Sequence, residues 1–383
     1  MKVSVLGCGR IGRGIYEMLK SVPGFEPGPV LEMKGLATED FMVDDIDLIV
    51  SDPSIDAVVE SIGGIEPAFT YAVKSITAGK HFVSTNKALI AEKGLELSAL
   101  AKEHGVALIF SGACGGGMPY LHNLALAAET DEVLLVEGIF NGTTNYILDA
   151  IQRKGISYEA ALGEAQDLGY AERDPSADLT GLDTQRKIVL ACSVAFGKLP
   201  TGGICREGIG SFTLEDAAYL NSKGYVCRLL GKAGKNGDNI YTYIQPVLVS
   251  DTSSLASIHK NFNLAGYTGE RCGLMQFIGQ GAGRWPTATS ALRDLCAIRG
   301  GTLRMMRDDC TDAAAVNDIE QRFFVRLPAL YADLFDAECI ETAGETARLF
   351  TKPVAVDAMH ALVKSIREKG AEVFFASVEE END

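Results

Sequence analysis

The chain opens on a short apolar run, Val3-Ser-Val-Leu6. It breaks at once into Gly7-Cys-Gly9-Arg10-Ile11-Gly12, and apolar residues then continue at helical spacing from Ile11 to Leu19. Few features restrict a fold so tightly. A buried strand that turns into a helix within a few residues needs glycine where the backbone bends, where a ligand approaches it, and where helix and strand touch. Gly7 permits the bend, Gly9 leaves room for a pyrophosphate, and Gly12 lets the helix pack on the strand, while the helix N-terminus attracts the anion. The pattern predicts that Gly7, Gly9, Arg10, Ile11 and Gly12 hold a dinucleotide.

Strand and helix signals then alternate. Strands are expected at Ala57–Ser61, His81–Ser84 and Val106–Ser111, with helices at Glu66–Ala78 and Glu92–Glu103. Such alternation implies a parallel sheet with helices on both faces. The second strand is poorly marked. Its best candidate, Val30–Leu36, lies in a Pro- and Gly-rich stretch. From Asn141 the pattern changes to helices (Thr144–Lys154, Tyr158–Leu168, Asp183–Phe196), followed by strand-like runs at Val226–Leu230, Ile240–Val249 and Leu274–Ile278. A helix runs from the Gly279–Gly283 turn to about Ala297, and the end of the chain reads strand (Phe323–Leu327), helix (Val356–Lys369), strand (Glu372–Val378). The fold class is α/β: a Rossmann-type parallel-sheet nucleotide domain, an α+β substrate domain, and a small C-terminal α/β region.

At 383 residues the chain exceeds one ordinary core, so two or three domains are expected. A formal net charge of −16 excludes nucleic acid and anionic membranes as general partners. The nine cysteines contain no Cys-x2-Cys pair, which points to reduced thiols in the cytoplasm and away from a disulfide framework or zinc site. The first apolar run is too short for a secretory segment, and no stretch approaches the roughly 20 apolar residues that span a bilayer.

The densest chemistry lies between Ala165 and Lys187, where Gly169, Glu172, Asp174, Asp178, Asp183 and Lys187 crowd around Pro175 and Gly181. Asp183 and Lys187 are four apart on an expected helix with the acid N-terminal, an arrangement that usually makes an ordinary surface pair. Here the apolar run Ile188 to Ala195 buries most of that helix, so the pair sits where a core meets a cleft. A Lys held by an Asp suits the proton transfer that accompanies hydride transfer between an alcohol and an aldehyde.

This segment resembles the signature of homoserine dehydrogenases, in which an Ala-x3-Gly run leads through Asp-Pro and Asp-x2-Gly-x-Asp to a closing Lys. The other motifs follow in the family's order: Val58-Val-Glu60-Ser-Ile62-Gly63-Gly64, Thr85-Asn86-Lys87, Asn141-Gly142-Thr143, and Gly281-Ala-Gly283 with Pro286-Thr-Ala. The match covers about residues 1 to 300 and is to the monofunctional form. It implies interconversion of L-homoserine and L-aspartate 4-semialdehyde with NAD or NADP. Lys187, Asp183 and Lys87 become the catalytic residues, with Lys187 the proton donor in aldehyde reduction. Glu172 would bind the substrate ammonium beside the Gly169 backbone, with Asp183 and Asp178 in the same substrate-binding set; Asp178 either supports that network or caps the following helix. Ile62, Gly63, Gly64, Thr85, Asn86, Lys87, Asn141, Gly142, Thr143 and Gly283 would join the opening turn in holding the cofactor.

The loop Ser111-Gly-Ala-Cys114-Gly-Gly116-Gly-Met118 would hold sodium or potassium through the carbonyls of Ser111, Cys114, Gly116 and Met118. It departs from the commoner Glu-Ala-x-Val form at Ser111 and Cys114, which alters charge and packing but leaves the carbonyls. Cofactor choice stays open: Glu32 stands where an acid accepts ribose hydroxyls, whereas Lys34 and Arg10 favour a 2′-phosphate. The domains implied are 1–140 with about 283–312 for the dinucleotide, 141–282 for substrate binding and dimerisation, and 313–383 as a degenerate ACT-like region without the usual Gly-rich loop between Leu327 and Leu349. A homodimer or higher homo-oligomer follows from the resemblance. The rival readings are a dehydrogenase of another small amino or hydroxy acid and a non-catalytic dinucleotide-sensing regulator.

Overall fold

The structure, a computed structural model, describes residues 1–301 and 305–379. Residues 380–383, most of the acidic tail, lie outside the described residues, as do residues 302–304 of the expected 283–312 segment. The chain divides into two compact units. The first comprises Met1–Leu134, Val189–Leu199 and Ala265–Asp312, and the second Leu135–Ile188, Pro200–Leu264 and Ala313–Asp383.

The first unit is built on strand β1 (Lys2–Leu6), helix α1 (Arg10–Ser21), β2 (Glu26–Leu31), β3 (Met42–Val43), the short α2 (Asp47–Val50), β4 (Ala57–Glu60), α3 (Ala68–Thr77), β5 (His81–Ser84), α4 (Lys87–Glu103) and β6 (Leu108–Ile109). The strands are all parallel and lie in the order β3–β2–β1–β4–β5–β6. This is the doubly wound order whose direction of winding reverses beside β1, and ligands bind at the carboxyl ends of strands flanking such a reversal. Val3, Val5, Ile15, Leu19 and Val59 form the core, completed by Ala288, Ala291 and Leu295 of the helix Arg284–Gly300.

Three expectations shift. β2 ends where the expected strand Val30–Leu36 was to begin, and Met33 to Leu36 form a turn. Pro27 and Pro29 lie inside β2, and the pairing with β1 slips between Val3 and Val5, so the proline-rich stretch that reads as irregular is a strand carrying a bulge. The expected strand Val106–Ser111 shrinks to two residues and passes into a 3-10 turn at Ser111–Ala113. Helix α4 starts at Lys87 rather than Glu92, because the Asn86 side chain accepts the Leu89 N–H and caps it. The unit also holds α5 (Tyr120–Thr130), which the periodicity does not reveal.

The second unit carries β7 (Val133–Ile139), α6 (Gly142–Lys154), α7 (Tyr158–Asp167), α8 (Ser176–Leu179) and the start of α9 (Leu182–Phe196). The mixed sheet runs from the strand Gly273–Gln280 through the strand Phe262–Gly269 and β7 to a long hairpin, Tyr225–Asn236 with Asn239–Ser250, turned at Gly237 (φ 59°). The strand Phe374–Val378 pairs in parallel with Asn239–Ser250. Residues from 320 onward thus continue the sheet. Strands Phe323–Pro328, Ala337–Ala343, Thr346–Thr351 and Phe374–Val378, with a 3-10 helix after the first and the helix Val356–Arg367 after the third, lie in the order fourth, first, third, second. Phe323, Val325, Leu349, Met359, Val363 and Phe375 close this end over Tyr243.

Candidate active site

At the end of β1, Gly7 adopts φ 90°, in the left-handed region that only glycine enters without strain. A Cβ on Gly12 would lie 1.9 Å from the Gly7 carbonyl, so glycine there is compulsory for α1 to reach the turn. A Cβ on Gly9 would meet nothing within 4 Å. Gly9 therefore faces open space beside the N-terminus of α1, where Arg10 is exposed and Ile11 half-buried, and this is a cradle suited to a pyrophosphate. Glu32 follows β2 directly, and its carboxylate accepts the Cys8 and Met33 N–H groups, each at 2.8 Å. The acid is thereby tied to the glycine turn, while Lys34 is exposed.

The ends of β4 and β5 are joined through Glu60, which stands in the Val58 to Gly64 motif but was given no role by the sequence. Its Oε1 accepts the N–H groups of Ile62 (2.8 Å) and Gly63 (3.1 Å) and the Asn86 side-chain amide (3.4 Å), and its Oε2 accepts the Ser84 hydroxyl (2.7 Å). Its carbonyl accepts the Thr85 N–H at 3.1 Å and hydroxyl at 3.2 Å. Asn86 also donates to the Gly64 carbonyl at 2.6 Å. Gly63 and Gly64 take φ 85° and 71°. Ile62, Gly63, Gly64, Thr85, Asn86 and Lys87, all expected on the cofactor side, thus form one connected rim, with Lys87 the first residue of α4.

In the second unit α9 presents Asp183 and Lys187, both under a tenth exposed. Lys187 Nζ donates to Asp183 Oδ2 (2.7 Å) and to the Phe140 carbonyl (2.6 Å). The Asn141 side-chain amide donates to Asp183 Oδ2 (2.9 Å) and Asp178 Oδ1 (2.6 Å), and its own oxygen caps α6 by accepting the Thr144 N–H. Asp178 therefore supports the network, while Asp174 accepts the Ser176 N–H at the start of α8. Burial and then the nearby Asp183 carboxylate push the Asp178 carboxyl up, against the lowering effect of Asn141 and Lys187. Thr143 donates to the Tyr170 carbonyl, and the Gly142 backbone lies so close to the Asn261 carbonyl that a Cβ would sit 2.7 Å from it. Glu172 and Gly169 are not brought into this cluster. The Glu172 carboxylate is exposed, without a hydrogen-bond partner among the described residues, and Gly169 is a turn residue at φ 71°.

The loop Ser111–Met118 is almost wholly buried. Asp294, which no sequence signal singled out, accepts the Ser111 N–H (3.0 Å), the Ser111 hydroxyl and His122 Nε2 (2.6 Å). The Ser111 carbonyl accepts the Cys114 N–H (3.2 Å) and the Gly116 carbonyl the Ser290 hydroxyl (2.5 Å). A carbonyl has two lone pairs, so each retains acceptor capacity for a cation. No group of three or more His, Cys, Asp or Glu among the described residues could hold a metal ion. Gly283, at φ 127°, precedes the helix Arg284–Gly300.

Residues 7–111 match the family model for the homoserine dehydrogenase NAD-binding domain, and residues 119–296 match that for homoserine dehydrogenase. The chain is 36% identical over 318 residues to the homoserine dehydrogenase of Synechocystis sp., covering 78% of this chain and 73% of that one. It is 35% identical to that of Bacillus subtilis, over 78% and 72% of the two chains. The crystal structure of a homoserine dehydrogenase from Thiobacillus denitrificans superposes with a TM-score of 0.88 at 27% identity, covering 99% of this chain and 98% of that one. The glycine cradle, the buried Lys–Asp pair and these similarities agree: the chain belongs to the homoserine dehydrogenase family, NAD(P)-dependent oxidoreductases acting on a CH–OH group.

Proposed function

We propose that this chain interconverts L-homoserine and L-aspartate 4-semialdehyde, with Lys187 as the proton-transfer residue. The hydrogen-bonded set of buried Asn141, Asp183 and Lys187 with half-buried Asp178 carries the reading. An ammonium fixed by a carboxylate and a backbone carbonyl stabilises negative charge growing on a carbonyl oxygen and supplies its proton; in the reverse direction the amine accepts the hydroxyl proton. Asp183 holds Lys187 in place and contacts substrate. Asn141 keeps the two carboxylates apart, and Glu172, exposed on its turn, pairs with the substrate ammonium beside the Gly169 backbone. Lys87 is the third catalytic residue of this reading.

NAD(P) supplies the hydride acceptor or donor when bound. Gly7, Gly9, Arg10, Ile11 and Gly12 would hold its pyrophosphate, with Ile62 to Gly64, Thr85 to Lys87, Asn141 to Thr143 and Gly283 on its remaining contacts. Glu32, with Lys34 two residues on and Arg10 in the glycine turn favouring a 2′-phosphate, supports acceptance of both nicotinamides. The carbonyls of Ser111, Cys114, Gly116 and Met118 would take a sodium or potassium ion. In this reading residues 1–140 with about 283–312 form the dinucleotide domain, residues 141–282 bind substrate, and residues 313 onward are a degenerate ACT-like region. A homodimer is supported by the hairpin strand Gly273–Gln280, a sheet edge exposing Leu274, Met275 and Ile278. A cytoplasmic location fits cysteines that form no disulfide among the described residues, and no helix among the described residues is long and apolar enough to cross a membrane.

The test is absorbance at the reduced-nicotinamide band while the purified chain receives homoserine with each oxidised cofactor. Homoserine-dependent reduction is expected, with the two values of kcat/KM within about a hundredfold, or roughly 2.7 kcal/mol. No reduction with either cofactor would refute the activity, and a much larger ratio would refute dual acceptance.

A further inference from the structure

Glu60 is 0% exposed and has no cation at hydrogen-bond distance among the described residues. A buried carboxylate without a counter-charge is unfavourable unless hydrogen-bond donors replace its lost hydration. Here the donors come from two separate places: the turn after β4 supplies Ile62 and Gly63, and the end of β5 supplies Ser84 and Asn86. Burial pushes the carboxyl up while these four donors oppose the shift. Ser84 passes the link on, since its hydroxyl oxygen accepts the Asn86 N–H at 3.1 Å. Asn86 in turn caps the helix that begins at Lys87.

We propose that Glu60 is a positioning residue for the dinucleotide site, fixing the rim Ile62–Gly64 and the helix start Thr85–Lys87 as one rigid unit. The proposal rests on the nucleotide-site reading given above. It makes Glu60 act through hydrogen-bond geometry and not through a charge offered to the ligand. Its Oε1 holds two neighbouring backbone N–H groups that would otherwise reorient or stay unpaired, and its Oε2 sets the Ser84 hydroxyl that seats Asn86. Glutamine keeps the length and an oxygen acceptor for Ile62 and Gly63. Aspartate keeps the charge but withdraws the carboxylate by one methylene from every donor.

The test compares the full chain with E60Q, E60D and E60A, titrating NADPH and NADH by their fluorescence without substrate and recording thermal unfolding and kcat separately. E60A and E60D are expected to weaken reduced-cofactor binding about 10- to 100-fold, the effect of leaving one or two buried donors unpaired. E60Q should recover most of that loss, staying about fivefold or more tighter than E60D. Because Lys87 follows the displaced segment, E60D should also lower kcat at saturating cofactor, an effect that a lowered melting temperature alone does not produce in protein still folded at the assay temperature. Should E60A not fold, the order of E60Q and E60D decides. Equal affinities, or E60D binding more tightly than E60Q, would overturn the proposal. Failure of the unmodified chain to bind either reduced cofactor would overturn the nucleotide-site reading itself.

Discussion

Replacing Lys187 by methionine keeps most of the side chain's length and removes the ammonium. Lys187 is 6% exposed and donates at 2.7 and 2.6 Å to Asp183 and the Phe140 carbonyl, so the substitution removes these two buried hydrogen bonds and the ion pair with Asp183. Asp183 keeps the Asn141 amide at 2.9 Å, which it shares with Asp178. Breaking a buried pair in this way costs about 3–5 kcal/mol of stability. The catalytic loss has a separate origin. General acid catalysis by a positioned group contributes about 10² to 10⁴ in rate, or roughly 3–5 kcal/mol of barrier. Lys187→Met should therefore lower kcat by about that factor while reduced-cofactor affinity barely changes, since the pyrophosphate cradle lies at Gly7 to Gly12. The assay is steady-state kcat in both directions, with a deuterium isotope effect at the carbinol carbon to show that chemistry limits turnover. A Lys187→Met enzyme that keeps more than a tenth of the original kcat, with chemistry rate-limiting, would remove Lys187 as the proton donor.

Three further outcomes follow from named contacts. Gly9→Ala should leave the melting temperature almost unchanged yet weaken NADPH and NADH binding, whereas Gly12→Ala, whose Cβ would meet the Gly7 carbonyl at 1.9 Å, should destabilise the fold by about 1–3 kcal/mol; calorimetry and fluorescence titration separate the two. Burial lowers the His360 imidazole to about 4, and it shares a hydrogen bond with Gln245. The unfolded chain then binds the extra proton first, so stability is full above about pH 6.5 and declines as pH falls toward 4, by about 3 kcal/mol at most. His360→Gln should flatten that acid limb in melting curves at pH 8, 6 and 5, and an unchanged limb would count against it. Activity should rise with sodium or potassium over a bulky organic cation at equal ionic strength, and indifference would remove the proposed carbonyl site at Ser111 to Met118.

What the sequence made legible depended on whether a signal was local. Gly7, Gly9 and Gly12 were readable because each satisfies a different short-range steric demand, and Asp183 with Lys187 because a four-residue spacing on a helix guarantees adjacency. Asp178 was ambiguous in the sequence, since an acid before a helix can cap it; its hydrogen bond comes from the Asn141 amide, 37 residues away, which no local pattern shows. Asp294 carries no spacing pattern, and Glu60 stands in a motif that does not reveal its role. Each gathers donors from segments remote in the chain, Asp294 from Ser111 across 183 residues and Glu60 from Ser84 and Asn86 besides its neighbours Ile62 and Gly63, so only the folded sheet reveals these roles. β2 was misplaced because prolines argue against a strand, and the argument fails where a bulge absorbs them. The strand order at the C-terminal end is equally non-local: alternating elements give their sequence but not which edges meet.

The parallel pairing of Val247 and Leu248 with Ser377 and Val378 makes the last residues of the chain the neighbours of a strand synthesised some 130 residues earlier. During translation, Asn239–Ser250 leaves the ribosome with its hairpin partner already available and, on its other side, Cys205 and Arg206 available for Tyr243 and Ile244, but its end from Val247 stays open on that side until almost the whole chain has been made. At about 5–20 residues per second this is a wait of many seconds. Over that interval the waiting strand presents unpaired N–H and C=O groups beside apolar Val247 and Val249, a surface on which nascent chains of the same sequence can pair wrongly. A premature stop shortly before Phe374 would fix that open state permanently. Such products should appear in the insoluble fraction even though every residue of the Asn141, Asp183 and Lys187 cluster has been made.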